Sequence, residues 1–75
     1  MHQDREAAAA VASLSERERQ VCALIAEGFT NPEIAQRLCL SVDTVKSHVR
    51  SILAKFHVES RGEAGRIFRR ITRNG

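Results

Sequence analysis

The sequence predicts an all-α fold of four helices without a wing. Alanine, leucine, arginine and glutamate recur at helical spacing, and the 75 residues include one proline and neither tryptophan nor tyrosine. Four helix-start signals occur along the chain, one for each predicted helix. A chain of this length forms one small domain with a simple core, because it buries only about 60% of the surface that its unfolded form exposes.

Capping signals predict where the helices begin. In a capping box, a Ser or Thr and a Glu three residues later satisfy two unpaired backbone N–H groups. Three such boxes are present: Ser15 with Glu18, Thr30 with Glu33, and Ser60 with Glu63. A fourth start is predicted at Ser41, whose hydroxyl can cap a helix that has Asp43 near the positive end of its dipole.

The predicted helices cover about 16–27, 32–39, 42–56 and 61–71. Gly28 can adopt the left-handed conformation that ends the first helix, and Pro32 is tolerated in the first turn of the second. Gly62 and Gly65 lower the helical propensity of the fourth by about 1 kcal/mol each relative to alanine. Residues 1–13 show no core pattern and are interpreted as a flexible arm or linker remnant that precedes a domain at 14–75.

Charge is unevenly divided along the chain. Residues 1–43 carry a net charge of −3, whereas residues 44–75 carry +6. Clustered Lys and Arg raise the local potential and release counterions when they meet a polyanion. The basic half therefore favours a nucleic-acid partner, although a solvated basic tail gives the same composition.

The second and third predicted helices are joined by a very short connection around Leu40, which is the helix-turn-helix arrangement. In that arrangement the second helix enters the major groove and its first residues meet base edges. Lys46 and Arg50 share the polar face of this helix with Ser47, and Lys or Arg can address the O6 and N7 acceptors of guanine. His48 lies off the apolar stripe and is a candidate for a phosphate contact or for the edge of the core.

The ordered set of motifs resembles the LuxR-type domain of bacterial transcription regulators. It covers Leu14 to about Ala64 without insertion or deletion, and consists of Leu14-Ser15-Glu16-Arg17-Glu18, Ala26-Glu27-Gly28, Asn31, Glu33-Ile34-Ala35, Leu38, Ser41, Thr44-Val45-Lys46-Ser47-His48, Lys55, Val58, Ser60-Arg61 and Ala64. Each motif alone is weak, but the set in this order is specific.

This resemblance implies sequence-specific binding of double-stranded DNA in bacterial transcriptional regulation. It implies base contacts by Lys46, Ser47 and Arg50, and phosphate contacts by Thr30, Asn31, Thr44, His48 and Lys55. It also implies a homodimer through the fourth predicted helix. The apolar stripe of that helix exceeds what docking within the domain needs, so we expect the interface at Ile67, Phe68 and Ile71. Glu18 and Arg61 take structural roles. Phe56 departs from the usual leucine, and Gly62 and Gly65 thin the expected dimer surface.

Two other kinds of protein share some of these features. The fourth region of a sigma factor has a similar start but normally ends at its recognition helix, and a protein-interaction module could dock a partner on the Phe68 and Ile71 stripe. Cys22, Cys39, His48 and His57 are too widely spaced for a usual zinc module, so the cysteines are expected to be buried thiols and no cofactor is expected. We expect a cytoplasmic protein that is not an enzyme and spans no membrane, with RNA polymerase a further candidate partner.

Overall fold

The computed structural model describes the backbone of residues 2–74 and the side chains of residues 5–73, and this part of the chain is helical without strands. Five helices follow one another: α1 (His2–Ala12), α2 (Glu16–Ala26), α3 (Asn31–Leu38), α4 (Val42–Phe56) and α5 (Arg61–Asn74). The all-α prediction is confirmed, and α2 to α5 are the four predicted helices. Helix α1 lies wholly within the stretch interpreted as an arm or linker remnant.

The capping signals act largely as predicted. At α2, the Ser15 hydroxyl accepts from the Glu18 N–H at 3.1 Å and the Glu18 carboxylate accepts from the Ser15 N–H at 2.9 Å. Thr30 and Glu33 form the second complete box at α3. At α5, the Ser60 hydroxyl accepts from the backbone N–H of Glu63, but it also donates to the Glu63 carboxylate, so the reciprocal backbone bond is replaced by a side-chain one.

The core lies between α2, α4 and α5, with α3 and α1 packed onto its sides. Its fully buried members are the apolar residues that the helical periodicity places on inner faces: Val21, Cys22, Ile34, Val45, Ile52 and Ala64. Helix α1 contributes Ala7 and Val11, which are buried and lie four residues apart on one side of it. The domain therefore has one continuous core that includes the helix before the first capping box.

Gly65 is the position where α5 lies closest to α2. A Cβ atom there would lie 3.1 Å from the Cα atom of Ala26 and 3.3 Å from its backbone nitrogen, so the neighbouring backbone would have to move. The sequence suggested that Gly65 thins an external dimer surface, and this is wrong because Gly65 is buried against α2. Its missing side chain allows the two helices to pack closely.

The two cysteines differ in environment. Both are free thiols, with Cys22 buried and Cys39 exposed. Burial raises the pKa of the Cys22 thiol to about 12, and nearby Arg19 offsets only part of that effect. The expectation of a buried thiol is therefore confirmed for Cys22 and wrong for Cys39. No cluster of three or more potential metal ligands occurs among the described residues.

No helix in the described part of the chain is both long enough and apolar enough to cross a membrane.

Candidate nucleic-acid interface

The connection between α3 and α4 is tight and held by backbone hydrogen bonds. Cys39 ends α3 in the left-handed conformation with φ 57°. The N–H of Leu40 then donates to the carbonyl of Ala35 at 2.9 Å, which satisfies an otherwise unpaired carbonyl of the last turn. The next residue, Ser41, already caps α4 by accepting from the N–H of Thr44 at 3.1 Å. Helices α3 and α4 consequently pack against each other as a helix-turn-helix pair.

Helix α4 has one buried face and one free face. Val45 and Ile52 are fully buried against the core, and Phe56 is 7% exposed. The candidate base-contacting residues all lie on the exposed side of the same helix: Lys46, Ser47 and Arg50. The structure therefore brings this predicted set together at the N-terminal half of α4, which is the half that meets base edges in a helix-turn-helix.

Hydroxyl groups of two candidate phosphate-contacting residues lie at helix starts. Thr30 caps α3, and Thr44 lies in the first turn of α4, where its hydroxyl accepts from that of Ser41 at 2.9 Å. Both threonines are exposed, and His48 is partly exposed on α4. The backbone N–H groups and the dipole at a helix N-terminus favour an anion there.

Asn31 is held in place by a residue from α5. Its side-chain oxygen accepts from the Arg61 guanidinium at 2.5 Å, and the same guanidinium donates to the Phe29 carbonyl at 3.0 Å. Because the amide oxygen is bound to Arg61, the amide NH₂ is the part of Asn31 left to donate to a ligand. The structural role expected for Arg61 is confirmed, and this residue joins the start of α5 to the start of α3.

A shallow groove of about 540 Å³ connects these elements. Thr30 and Asn31 line it from α3, Lys46 from α4 and Arg61 from α5. Two cations and two hydrogen-bonding side chains thus share one depression at the N-terminal end of α3 with the non-polar residues Gly28, Phe29, Pro32 and Val42. Such a set suits a phosphate group, which binds both positive charge and N–H or O–H donors.

Lys55 lies apart from the other candidate phosphate contacts. Its ammonium donates to the Glu18 carboxylate at 2.7 Å and to the Ser13 carbonyl at 3.2 Å. The Ser51 hydroxyl donates to the other Glu18 oxygen at 2.5 Å. Burial of Glu18 raises the pKa of its carboxyl, but the hydrogen bonds from Lys55, Ser51 and Ser15 outweigh burial and bring that pKa down to about 2.

This polar cluster joins the start of α2 to the end of α4. The sequence pointed to Glu18 as a structural residue, which is confirmed, but it gave no sign of Ser51 or of the ion pair. Residues 37 positions apart in the chain form this pair, and short-range periodicity does not report such a contact.

The candidate dimer residues of α5 do not share one environment. Phe68 is 7% exposed and belongs to the core of its own chain. Ile67 and Ile71 are half-buried and pack against the edge of that core. Ile67 also lines a groove beside Ala7 and Ala10 of α1. Of the three, Ile67 and Ile71 therefore retain surface that a second molecule could cover.

Comparison with known proteins agrees with this geometry. The family model described as "Bacterial regulatory proteins, luxR family" matches residues 12–68. The chain belongs to this family. Transcriptional regulatory protein LiaR of Bacillus subtilis is 46% identical over 52 residues, which cover 69% of this chain and 25% of LiaR. Response regulator protein VraR of Staphylococcus aureus is 45% identical over 51 residues, 68% of this chain and 24% of VraR.

The matched region includes α2 to α4 and most of α5, so it contains the whole helix-turn-helix pair. The chain spans about a quarter of the length of the curated relatives named above. It is thus a LuxR-family helix-turn-helix domain, of a family that binds DNA and regulates transcription.

Proposed function

We propose that this LuxR-family domain binds double-stranded DNA in a sequence-specific way, with α4 in the major groove. The observation that carries the proposal is the exposed face of α4, where Lys46, Ser47 and Arg50 project from a helix whose opposite face is fixed in the core. Lys and Arg can bind the major-groove acceptors of guanine, and Ser adds an adaptable donor and acceptor. The likeness to VraR, a response regulator protein, supports a role as part of a response regulator, and we propose that it acts in the cytoplasm.

Phosphate contacts in this proposal come from the groove at the start of α3 and from the start of α4. Thr30, Asn31 and Thr44 offer donors there, and His48 lies farther along α4 on its half-exposed side. Lys55 contributes chiefly by stabilising the fold, because its ammonium is bound to Glu18. Lys46 lines the groove from α4 and is assigned, with Arg50, to the bases, so Arg61 is the cation assigned to phosphate in the groove.

The test for base readout compares binding to an operator with binding to its variants. The operator is first selected from a random-sequence duplex library. Lys46→Ala and Arg50→Ala are each expected to lose about 1–3 kcal/mol of discrimination at one or two base pairs. Arg17→Ala is the matched control, because Arg17 is an exposed arginine on α2, outside the helix-turn-helix pair. Equal weakening of operator and random duplexes by both α4 variants would exclude base readout by this face.

We further propose that two copies bind one pseudo-palindromic site through α5, with the half-exposed surface of Ile67 and Ile71 at the two-fold axis. The two α4 helices would then lie about 10 base pairs apart, one turn of DNA. The surface is small, so the pair should be weak in solution and form on DNA. We propose RNA polymerase as a further partner of this DNA-bound pair, through which it would affect transcription.

Ile71→Glu tests this assembly, because it places a charge on the proposed two-fold surface. Thr72→Glu is its control, since it adds the same charge at the exposed neighbouring position. Gel shift and sedimentation should show loss of the two-to-one complex for Ile71→Glu only, with helicity retained by circular dichroism. A two-to-one complex of unchanged cooperativity in Ile71→Glu would put the dimer surface elsewhere.

A further inference from the structure

Three arginines form a continuous basic surface on α5, outside the helix-turn-helix. Arg66, Arg69 and Arg73 follow one another at spacings of three and four residues, so they lie on one face of the helix. All three are exposed. No described carboxylate lies within ion-pair distance of any of them, since the salt bridge found among the described side chains joins Lys55 to Glu18. We call these three residues the arginine stripe.

The stripe is separate from the other two sides of α5. Ala64, Gly65 and Phe68 are buried. Ile67 lines a groove with Ala7 and Ala10 of α1, and Ile71 lies one turn further along the same face of α5. Arg66 and Arg69 instead border a shallow depression with Gly62 and Ala26, next to the α2 contact. The stripe therefore remains free when α1 is packed, and it leaves Ile67 and Ile71 to the proposed dimer.

Helix geometry directs these guanidinium groups towards the DNA-facing end. Helical side chains lean towards the N-terminus of their helix. Arg66 shows this, because its Nη1 atom lies 3.7 Å from the position that a Cβ atom of residue 62 would take. One residue before Gly62, Arg61 is bonded to Asn31 in the groove proposed to bind phosphate. The stripe thus begins beside that groove and continues up the side of the domain.

Helix stability alone does not account for this arrangement. A cation in the last turn of a helix interacts favourably with its dipole, which suits Arg73. Arg66 and Arg69 lie before the last turn, and like charges three or four residues apart repel each other. A polyanion would relieve that repulsion.

We infer that the arginine stripe is a second phosphate-binding surface, which contacts the backbone of the same duplex beyond the phosphates met by α3 and α4. This inference rests on the proposed function, because it places the duplex against α4. A duplex is favoured over an acidic protein because the stripe continues directly from the proposed phosphate groove. The DNA contacted by one domain would then extend past the base pairs that α4 reads.

The experiment measures the salt dependence of binding to a mixed-sequence duplex of about 40 base pairs by fluorescence anisotropy. Each phosphate neutralised contributes about 0.9 to the slope of log affinity against log salt. Arg66→Gln/Arg69→Gln should reduce the slope by about 1.8, so that its affinity falls about tenfold less than that of the unmodified chain between 50 and 200 mM salt. Arg5→Gln/Arg17→Gln makes the same change in net charge on α1 and α2, and should leave the slope unchanged.

The outcomes separate this inference from the proposed function. If the unmodified chain does not bind the duplex even at low salt, the proposed function fails and the inference fails with it. If it binds but Arg66→Gln/Arg69→Gln keeps its slope, the inference alone is overturned and an acidic protein surface becomes the better partner for the stripe. Equal slope reductions in both double variants would also overturn it, because net charge would then explain the effect.

Discussion

Replacing Glu18 by Gln should destabilise the domain more than the same replacement at Glu33, the glutamate of the other complete capping box. Gln preserves the side-chain length and can still accept the Ser15 bond, but it removes the charge that Lys55 neutralises. The fall in the pKa of the Glu18 carboxyl from 4.5 to about 2 corresponds to about 3 kcal/mol. The Lys55 side chain is 36% exposed, so water screens the pair and about 1–2 kcal/mol is the better expectation.

Thermal unfolding followed by circular dichroism tests this value. For a domain of this size, a loss of about 1–2 kcal/mol lowers the Tm by about 5–15 °C at pH 7. The direction of the pH dependence of stability follows from the lowered pKa of Glu18. The stabilisation is fully present above pH 4.5, the ordinary pKa of a glutamate, and is lost as the pH falls towards 2. Glu18→Gln should therefore lose part of the acid sensitivity between these pH values.

Glu33→Gln is the matched control, because Glu33 occupies the same box position at α3 but is exposed and pairs with no lysine. It should lower the Tm less than Glu18→Gln does at pH 7. Equal effects of the two substitutions, together with an unchanged acid transition in Glu18→Gln, would refute the assignment of this stability to the Glu18 charge.

Three further predictions concern packing. Gly65→Ala should destabilise the fold by about 1–3 kcal/mol because its methyl group meets the α2 backbone. Gly62→Ala should instead stabilise it by up to about 1 kcal/mol in denaturant titrations, because its methyl group would make only an ordinary contact, at 3.7 Å, with the end of the Arg66 side chain. Phe68→Ala should cost about 3–5 kcal/mol in the same titrations because the ring is in the core; a loss below 1 kcal/mol would mean that the ring serves an external surface instead. A thiol reagent should modify one thiol in the native domain, that of Cys39, and a second, that of Cys22, only in denaturant.

Local signals in the sequence predicted most of the fold. The bounds of α4 agree with the prediction at both ends, because Ser41 caps the helix and the apolar stripe ends at Phe56. Helix α5 runs three residues beyond its predicted end, where no glycine or proline stops it before Asn74. The packing of α1 was missed, because alanine-rich segments show little contrast between faces, although Ala7, Val11 and Leu14 follow helical spacing.

The exposed face of α4 could be predicted from the sequence, whereas the contacts of Lys55 and Phe68 could not. Exposure of Lys46, Ser47 and Arg50 follows from the periodicity of α4 alone. The engagement of Lys55 by Glu18 and the burial of Phe68 depend on how distant helices meet, and no local pattern contains that information. The role of Gly65 could not be predicted for the same reason. It depends on the contact with Ala26, which lies 39 residues earlier in the chain.

The tight connection between α3 and α4 has a thermodynamic consequence for recognition. This turn contains no flexible loop. Cys39 is in the left-handed conformation, the N–H of Leu40 donates to the carbonyl of Ala35, and Ser41 caps α4 immediately afterwards. Binding that orders a flexible loop loses conformational entropy, and a rigid turn avoids that loss. If α4 enters the major groove as we propose, it does so already at its final angle to α3. Discrimination between sites would then rest on contacts and on deformation of the DNA, with little contribution from folding of the protein.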